Sequence, residues 1–354
     1  MVTLNVSPKT LLNIVEDFSK SSVLVLGDIV LDCYIWGSVD RICPEAPVPV
    51  VDVKRESSML GGAGNVVANL RMLGSNVSLC GVVGDDDDGK AIIKQLEERN
   101  VRRDGVIVDR TRPTTKKTRI VAGHQQVVRF DHETKVRIAA EVTASVARYL
   151  DNHWDRFDAI IVSDYGKGVI HPELLRHIQQ ARKKRPKIIS VDPKERNMPF
   201  YKGVSLITPN KKEASAAAGR PIETEEDLRE VGGSIIQKLK CDHLVITLGS
   251  EGMALFQKHN EYIKIPTFAK EVFDVSGAGD TVVSVLTLAL CSGASLPEAA
   301  LLANTAAGIV VGKIGTASVS AEELKKYVRT AKKKVSEICF SPGAFRHASN
   351  MHEL

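Results

Sequence analysis

The chain has 354 residues, of which 43% are hydrophobic, and this can fill the core of one large α/β domain or two modest ones. Its formal net charge is only +5, from 48 Lys and Arg against 43 Asp and Glu. The short basic runs are typical of solvated helix faces. We therefore expect no nucleic-acid partner, whereas a small anionic substrate is compatible with this charge.

The six cysteines lie far apart and form no CxxC pair, so neither a zinc site nor a disulfide framework is expected. The N-terminal segment lacks a basic start followed by an apolar run, and no apolar run reaches membrane-spanning length. These features predict a cytoplasmic protein without a membrane partner.

Short apolar runs alternate with amphipathic segments along the chain. Strands are predicted at 22–28, 77–85, 158–164, 187–192, 204–208 and 243–249, and helices at 62–73, 86–99, 138–152, 171–183, 225–239, 279–291, 295–311 and 320–334. The alternation predicts a doubly wound, mainly parallel sheet flanked by helices. Several strands end in Asp, Gly or Thr, so we expect a ligand crevice at their carboxyl ends.

Two segments, 33–54 and 112–131, interrupt this alternation. Both are rich in β-branched residues and too irregular or proline-punctuated for helices. We predict that they pair as a small β-sheet lid, although ordinary surface hairpins would give the same pattern. Residues 1–354 then form a single domain, with its body at about 1–32, 55–111 and 132–335 and a C-terminal tail at 336–354.

The stretch "DVSGAGDT" (274–281) is a candidate anion site. Gly277, Ala278 and Gly279 are expected to turn into a helix that starts near Asp280, and a helix start offers unpaired N–H groups to an anion. The alternative is that Asp280 only caps the helix and the glycines only make a tight turn.

A second glycine-rich stretch, "GGAGN" (61–65), also leads into a predicted helix. Gly61 and Gly62 permit close approach of the backbone to a ligand, and Asn65 offers both donors and an acceptor. Tight packing of the helix on the sheet is the alternative explanation.

Polar residues at other strand ends are further candidates. Asp28 and Asp32 could accept hydrogen bonds from sugar hydroxyls, or could only cap a turn. Asn210 and Glu213 stand at a helix start, where a capping box is the alternative. Thr247, Gly249 and Gly252 suit backbone contact with a nucleotide, or a simple glycine turn.

In this order, "GGAGN", "NKKE" (210–213) and "DVSGAGDT" resemble the motifs of the PfkB (ribokinase-like) family of sugar kinases, over about residues 20 to 330. The resemblance implies a ribokinase-like fold with a β-sheet lid, and ATP and Mg²⁺ as cofactors. It also implies that Asp280 is the base for the attacking hydroxyl and that Gly277, Ala278 and Gly279 hold the transferring phosphoryl group.

The same resemblance implies a nucleotide and metal side of the site. Asn210 and Glu213 match the metal-linked pair, with Glu213 acting on Mg²⁺ through water. Asp192 and Lys194 are candidates for the phosphate side. The expected nucleotide site comprises Thr247, Gly249, Gly252 and Asn304.

Within this family, "SVDRICPEAPVPVV" (38–51), "SDYGKGV" (163–169) and "SVDPK" (190–194) are similar to heptose kinases. Those enzymes phosphorylate D-glycero-β-D-manno-heptose 7-phosphate at C1, which supplies the lipopolysaccharide core. Cys43 stands where their motif has Ser, and this puts in doubt only that side chain's contacts. The HxGH motif of the nucleotidyltransferase that is fused to many such kinases is absent.

The implied substrate has hydroxyls and a phosphate. The hydroxyls are expected to contact Asp28, Asp32, Gly61, Gly62 and Asn65. The phosphate requires cations, and the candidates are Lys167 and the lid residues Arg41, Lys116, Lys117, Arg119 and Arg129.

The apolar lid strands, including "VPVVDV" (48–53), predict a homodimer in which two lids pair across a twofold axis. Two other functions stay open. The chain could be a kinase for another sugar, sugar phosphate or nucleoside, or a non-catalytic sugar-binding regulator that has kept the fold.

Overall fold

The structure is a computed structural model that describes residues 2–3, 6–123, 125–257, 261–269, 272–313, 317–330, 339–340 and 343–344. Most of the predicted tail at 336–354 and the end of the predicted helix at 320–334 therefore lie outside the described residues. None of the helices in the described ranges combines the length and apolarity needed to cross a bilayer.

The secondary structure follows the predicted alternation. The strands are β1 (Val2–Thr3), β2 (Ser22–Ile42), β3 (Pro49–Gly62), β4 (Asn76–Gly84), β5 (Arg102–Asp109), β6 (Thr115–Ala122), β7 (Gln125–His132), β8 (Ala159–Ser163), β9 (Ile188–Asp192), β10 (Leu206–Ile207), β11 (His243–Thr247), β12 (Met253–Gln257), β13 (Glu261–Ile265), β14 (Cys339–Phe340) and β15 (Gly343–Ala344). The helices are α1 (Pro8–Asp17), α2 (Ala63–Met72), α3 (Asp87–Glu98), α4 (Ala140–His153), α5 (Pro172–Lys184), α6 (Lys211–Ala218), α7 (Glu225–Leu239), α8 (Ala278–Cys291), α9 (Leu296–Val310) and α10 (Ala321–Thr330).

The main sheet has the strand order β15-β13-β12-β11-β10-β9-β8-β2-β4-β5. The strands from β11 to β5 in this order run parallel. On the β15 side of the sheet, β12, β13 and β15 each run antiparallel to the strand before them in the order. The carboxyl ends of the parallel strands therefore lie side by side at the same end of the sheet, where open α/β sheets bind their ligands.

Successive residues of β2 point into two apolar cores on opposite faces of the sheet. Val23 and Val25 belong to one core, which also holds buried side chains of α1, α2, α3, α8, α9 and α10. Leu24 and Leu26 belong to the other, which holds those of α4, α5 and α7. Helices thus cover both faces, as the predicted doubly wound fold requires.

The lid is an extension of the main sheet. Strand β2 continues beyond the body to Ile42, pairing with β3 from Ile29↔Gly62 onward and with β6 from Val30↔Thr115 onward, while β7 pairs with β6. The two segments that interrupt the predicted alternation therefore lie in a four-stranded arrangement, β3-β2-β6-β7. No loop separates the core part of β2 from its lid part.

Several described elements are missing from the sequence prediction, among them α1, β5 and β13. Helix α1 has a recognisable start, since Ser7 accepts a hydrogen bond from the Lys9 N–H at 3.3 Å and Pro8 occupies the first turn. Strand β5 borders the sheet, and its first three residues are exposed. Its apolar pattern is therefore weaker than that of the central strands.

Candidate active site

Helix α8 begins at a sharp turn. Gly277 has a φ of +79°, a left-handed conformation that glycine adopts without strain, and it precedes the first helical residue, Ala278. The helix starts one residue earlier than predicted, so Asp280 is its third residue. The Ser276 N–H donates to Asp274 Oδ1 at 2.8 Å and closes the turn from the other side.

The Asp280 carboxylate is buried, and each of its oxygens accepts a hydrogen bond from another element. Asn65 Nδ2 donates to Oδ2 at 2.7 Å, and the Tyr165 hydroxyl donates to Oδ1 at 2.8 Å. Burial raises the pKa of Asp280 to about 6, although both hydrogen bonds act in the opposite direction. Asp280 does not cap its own helix, so the interpretation of this motif as only a capped turn is wrong.

The first turn of α8 leaves room for an anion. A Cβ atom at Gly279 would meet nothing within 4 Å, so the backbone here borders open space. The Ala278 N–H donates to the Val275 carbonyl at 3.2 Å and the Thr281 N–H to the Gly277 carbonyl at 3.1 Å, and the amides of this turn lie at the positive end of the helix dipole. This end of α8 has the geometry to hold a transferring phosphoryl group.

Two hydrogen bonds between side chains join α2 to α8. Asn65 bonds to Asp280, and the Thr281 hydroxyl donates to Asn69 Oδ1 at 2.8 Å. Asn69 Nδ2 also donates to the Asn65 carbonyl at 2.9 Å. All four residues are buried, so this network holds α2 against α8 beside the Asp280 carboxylate. Gly62 precedes α2 with a φ of +55°.

Asp32 and Gly61 face each other at the start of the lid. A Cβ atom at position 61 would lie 2.2 Å from Asp32 Oδ2, so only glycine leaves space for this carboxylate. Asp32 Oδ1 accepts a hydrogen bond from Arg119 Nη1 at 2.6 Å, in an ion pair whose side chains are 9% and 15% exposed. The negative charge of Asp32 also contributes to raising the pKa of Asp280.

Asp28 holds the loop that follows β8. Its Oδ2 accepts the backbone N–H groups of Tyr165 and Lys167, each at 2.9 Å, and its Oδ1 accepts that of Val169 at 3.1 Å. Only 1% of the residue is exposed. The carboxylate therefore shapes this loop, in place of the predicted contact with sugar hydroxyls.

Adjacent lysines on β6 point to opposite faces of the lid. Lys116 pairs with Asp88 on α3, with Nζ–Oδ1 at 2.9 Å, and so points away from the candidate site. Lys117 has its Nζ 5.9 Å from the centroid of the Tyr165 ring. Burial, followed by the charge of Lys167, lowers the pKa of Lys117. The structure thus corrects the prediction for Lys116 and places Lys117 at the site.

The other predicted phosphate ligands differ in position. The buried Lys167 forms an ion pair with Glu133, with Nζ–Oε2 at 2.5 Å. Arg129 pairs with Asp131 at 3.0 Å on β7. Arg41 is exposed near the end of β2, nine residues beyond Asp32 or about 30 Å along the strand. Arg41 therefore lies outside the site of its own chain, contrary to the prediction.

On the nucleotide side, Asn210 and Glu213 form the capping box that was the alternative interpretation of their spacing. The Glu213 N–H donates to Asn210 Oδ1 at 2.9 Å, and the Asn210 N–H donates to Glu213 Oε2 at 3.1 Å. Lys194 also pairs with Glu213, with Nζ–Oε1 at 3.3 Å. Thr247 forms a parallel β-bridge with Asn210, so the predicted metal-linked pair and the predicted nucleotide site are neighbours.

Asn304 and Gly252, two of the predicted nucleotide ligands, contact the chain segment that follows β13. Asn304 Nδ2 donates to the Pro266 carbonyl at 2.6 Å. A Cβ atom at Gly252 would lie 2.0 Å from the Ile265 carbonyl oxygen, so glycine is needed there for close packing. Gly249 has a φ of +61° and open space around it. Of these three, Gly249 alone has the open surroundings that a nucleotide contact requires.

Several carboxylates lie close together on this side. Burial, followed by the charges of Asp280, Glu213 and Asp164, raises the pKa of Asp192 well above its usual value. The described residues contain no cluster of three or more His, Cys, Asp or Glu side chains arranged to hold a metal ion directly. Carboxylate oxygens are ligands that Mg²⁺ prefers in proteins, usually with several waters retained.

The sequence patterns predict no role for Tyr165, Asn69 or Arg112. Only the fold brings the Tyr165 hydroxyl to Asp280, 115 positions away. Asn69 repeats Asn65 at the i+4 spacing, which was a visible signal for a shared helix face. Arg112 donates to two backbone carbonyls beside the loop that follows β8, and no local pattern predicts this.

Comparison with known proteins identifies the family. The sequence profile of the pfkB family of carbohydrate kinases matches residues 20–324. The chain belongs to this family. Its Asp280, Asn65 and Asp32 thus lie in the body and lid of a pfkB carbohydrate kinase.

Two curated relatives share nearly half of their aligned residues with this pfkB chain. Bifunctional protein HldE of Pelobacter propionicus is 45% identical over 323 residues, which are 91% of this chain and 66% of that protein. Bifunctional protein HldE of Desulfatibacillum aliphaticivorans is 47% identical over 308 residues, 87% of this chain and 63% of that protein. The chain thus spans slightly less than two thirds of the length of these relatives.

Solved structures show the same fold. Arabidopsis thaliana ribokinase complexed with ribose and ATP has a TM-score of 0.69 at 21% identity, covering 87% of this chain and 99% of the ribokinase. Escherichia coli phosphofructokinase-2 in complex with substrates and products has a TM-score of 0.73 at 20% identity, covering 88% and 99%. The predicted ribokinase-like fold is confirmed.

Proposed function

We propose that the chain transfers the γ-phosphoryl group of ATP to the C1 hydroxyl of D-glycero-β-D-manno-heptose 7-phosphate. The product would be the 1,7-bisphosphate, used in ADP-heptose synthesis for the lipopolysaccharide inner core. The observation that carries this proposal is the buried Asp280 at the start of α8, held beside a lid that carries Lys117 and Arg119. The identity with proteins named HldE supports the choice of a heptose phosphate.

Asp280 is the proposed general base. With a pKa of about 6 it is ionised at neutral pH and more basic than an ordinary aspartate. Each of its oxygens has a further lone pair beyond the hydrogen bond from Asn65 or Tyr165. The attacking hydroxyl can donate its proton to that lone pair while the carboxylate keeps its orientation, a contribution of roughly 10²–10⁴ to the rate.

The amides of Gly277, Ala278 and Gly279 are proposed to hold the transferring phosphoryl group, because negative charge accumulates there during transfer. Bound Mg²⁺ would neutralise charge on the ATP phosphates, and Asp192 and Glu213 would hold it through water. Nucleotide contacts are proposed for Thr247 and Gly249, with Gly252 and Asn304 shaping the adjacent segment.

Lys117 is the proposed main ligand of the substrate phosphate. Within the described ranges it makes no ion pair, whereas Lys116, Arg119, Arg129 and Lys167 each pair with a carboxylate. An unpaired and partly buried ammonium group gains most from an incoming phosphate. The Arg119 guanidinium lies on the same face of the lid, two residues along β6, where it holds Asp32.

We also propose a homodimer formed through the lids, in the cytoplasm where ATP is available. The lid exposes large apolar side chains, among them Ile42 at 62%, Val53 at 55% and Phe130 at 51% exposure. Pairing of two such surfaces would remove these side chains from water.

A substrate panel tests the proposed reaction. ATP consumption is measured with heptose 7-phosphate, unphosphorylated heptose, other sugar phosphates and nucleosides, and phosphorus NMR locates the new phosphate. Phosphate at C1 of heptose 7-phosphate is the expected result. Efficient turnover of another acceptor would replace the proposed substrate, and sugar binding without any turnover would favour a non-catalytic regulator.

A further inference from the structure

A polar cavity lies at the opposite end of the parallel strands from the candidate active site. It has a volume of about 490 Å³ and lies where strands β2, β4 and β5 begin. Ser22 in its lining is six residues from Asp28 on the same strand, which corresponds to about 20 Å. This amino-end cavity is therefore separate from the proposed kinase site.

The amino-end cavity is basic. Its polar lining includes Arg71, Arg102 and Arg156 together with Asn76, Ser78 and Asn100, and no carboxylate belongs to the lining. The three arginines come from different elements: the end of α2, the first residue of β5, and the 3₁₀ turn that follows α4. Three cations thus converge on one space without a compensating charge in its wall.

Only one of these arginines has a structural explanation. Arg71 donates to the carbonyls of Arg99 at 3.3 Å and Ser75 at 3.0 Å, so it satisfies backbone groups at helix ends. The side chains of Arg102 and Arg156 make no hydrogen bond or ion pair with any residue that the structure describes. Their donors are free to bind a ligand.

Neighbouring arginines outside the cavity show the contrast. Arg103 pairs with Glu97, and Arg185 pairs with Asp155 at 2.8 Å. The carboxylate beside the cavity, Asp158, accepts the Ser22 N–H at 2.8 Å and so serves the backbone. The absence of partners for Arg102 and Arg156 is thus a property of the cavity and not of this whole edge of the sheet.

We propose that the amino-end cavity binds a small phosphate-bearing anion, of the size of a nucleotide or sugar phosphate. A planar guanidinium group donates two parallel hydrogen bonds to a phosphate, and Arg102 and Arg156 can do so from two sides. Asn76, Ser78 and Asn100 add neutral groups that can recognise the rest of the molecule. The proposal does not depend on the kinase reaction.

Calorimetric titration of the full chain with inorganic pyrophosphate tests this site. The double variant Arg102→Ser/Arg156→Ser is compared with Arg103→Ser/Arg185→Ser, which removes the same charge from the same end of the molecule. We expect at least about tenfold weaker binding in the first variant and a change within about twofold in the second. Thermal unfolding verifies that both variants fold, and Arg156→Ser alone, at an exposed position, replaces the double variant if it does not.

Three outcomes would overturn the proposal. Wild-type protein could fail to bind pyrophosphate at low ionic strength, or both double variants could lose affinity equally, which would indicate a general charge effect. Unchanged binding in the cavity variant would show that pyrophosphate binds elsewhere on the chain.

Discussion

Tyr165 donates its phenolic hydrogen to Asp280 Oδ1 at 2.8 Å, on the opposite side of the carboxylate from Asn65. The backbone N–H of Tyr165 donates to Asp28, and the backbone carbonyl of Asn65 accepts a hydrogen bond from Asn69. The proposed base is therefore oriented by two buried networks before a substrate arrives. A preorganised carboxylate needs less rearrangement during proton transfer.

Removal of the Tyr165 hydroxyl is expected to change the pH profile. Activity requires ionised Asp280, so kcat/KM should fall as the pH drops through about 6. The hydrogen bond from Tyr165 lowers the pKa of Asp280. In Tyr165→Phe we therefore expect the acid limb of the kcat/KM profile to move to higher pH.

Tyr201→Phe is the matched control for that experiment. The Tyr201 hydroxyl also donates to a buried carboxylate, Asp164, at 2.5 Å, but it does not contact Asp280. The acid limb of the kcat/KM profile of Tyr201→Phe should stay at the wild-type position. An unmoved limb in Tyr165→Phe, or equal movement in both variants, would contradict the proposed link to Asp280.

Replacement of the proposed base by an isosteric amide is expected to abolish most turnover. We expect Asp280→Asn to lower kcat by about a hundredfold or more, because an amide cannot take the proton. ATP binding, measured by fluorescence titration, should be retained. Turnover close to that of the wild type would contradict the assignment of Asp280 as the base.

The two adjacent lysines of β6 provide a test of phosphate recognition. Lys117→Ala should raise KM for heptose 7-phosphate by about tenfold or more through loss of a charge-assisted hydrogen bond, with little effect on unphosphorylated heptose. Lys116→Ala removes the same charge from the opposite face, where Asp88 is its partner, and should stay within about threefold. Equal effects of both variants would show that only the general charge of the lid matters.

The lid surface is expected to control the oligomeric state. Phe130→Asp places a charge in the exposed apolar patch and should convert a lid-paired dimer into monomers, as measured by light scattering. Val136→Asp, at a residue that is 72% exposed outside the lid strands, is the control and should leave the mass unchanged. A wild-type protein that is monomeric in dilute solution would remove the dimer proposal.

The order of strands and helices could be predicted because buried parallel strands and amphipathic helices have distinct apolar periods. The turn at Gly277 was predictable for a similar reason, since it depends on local backbone geometry, whereas the hydrogen bond from Asn65 to Asp280 joins residues 215 positions apart and was not predicted. The match to the pfkB family over residues 20–324 confirms the family that the motifs indicate.

Contacts between distant segments could not be predicted in this way. Alternation along β6 puts Lys116 and Lys117 on opposite faces, but the pairing register with β2 decides which lysine faces Tyr165. Likewise, a polar strand end such as Asp28 can face a ligand or a loop, and only the folded chain decides between them. Asn304 on α9 could likewise face a nucleotide or, as the structure shows, donate to the Pro266 carbonyl.

Strand β2 runs without interruption from Ser22 in the core to Ile42 at the far end of the lid. For protein engineering, this means that the lid is not a cassette with its own joints. A lid grafted from a relative would have to keep the register of the strand from the core to the lid, because a shift of one residue between Ser22 and Asp32 would turn Asp32 away from Arg119. Any change of specificity by lid exchange is therefore also a change in the core.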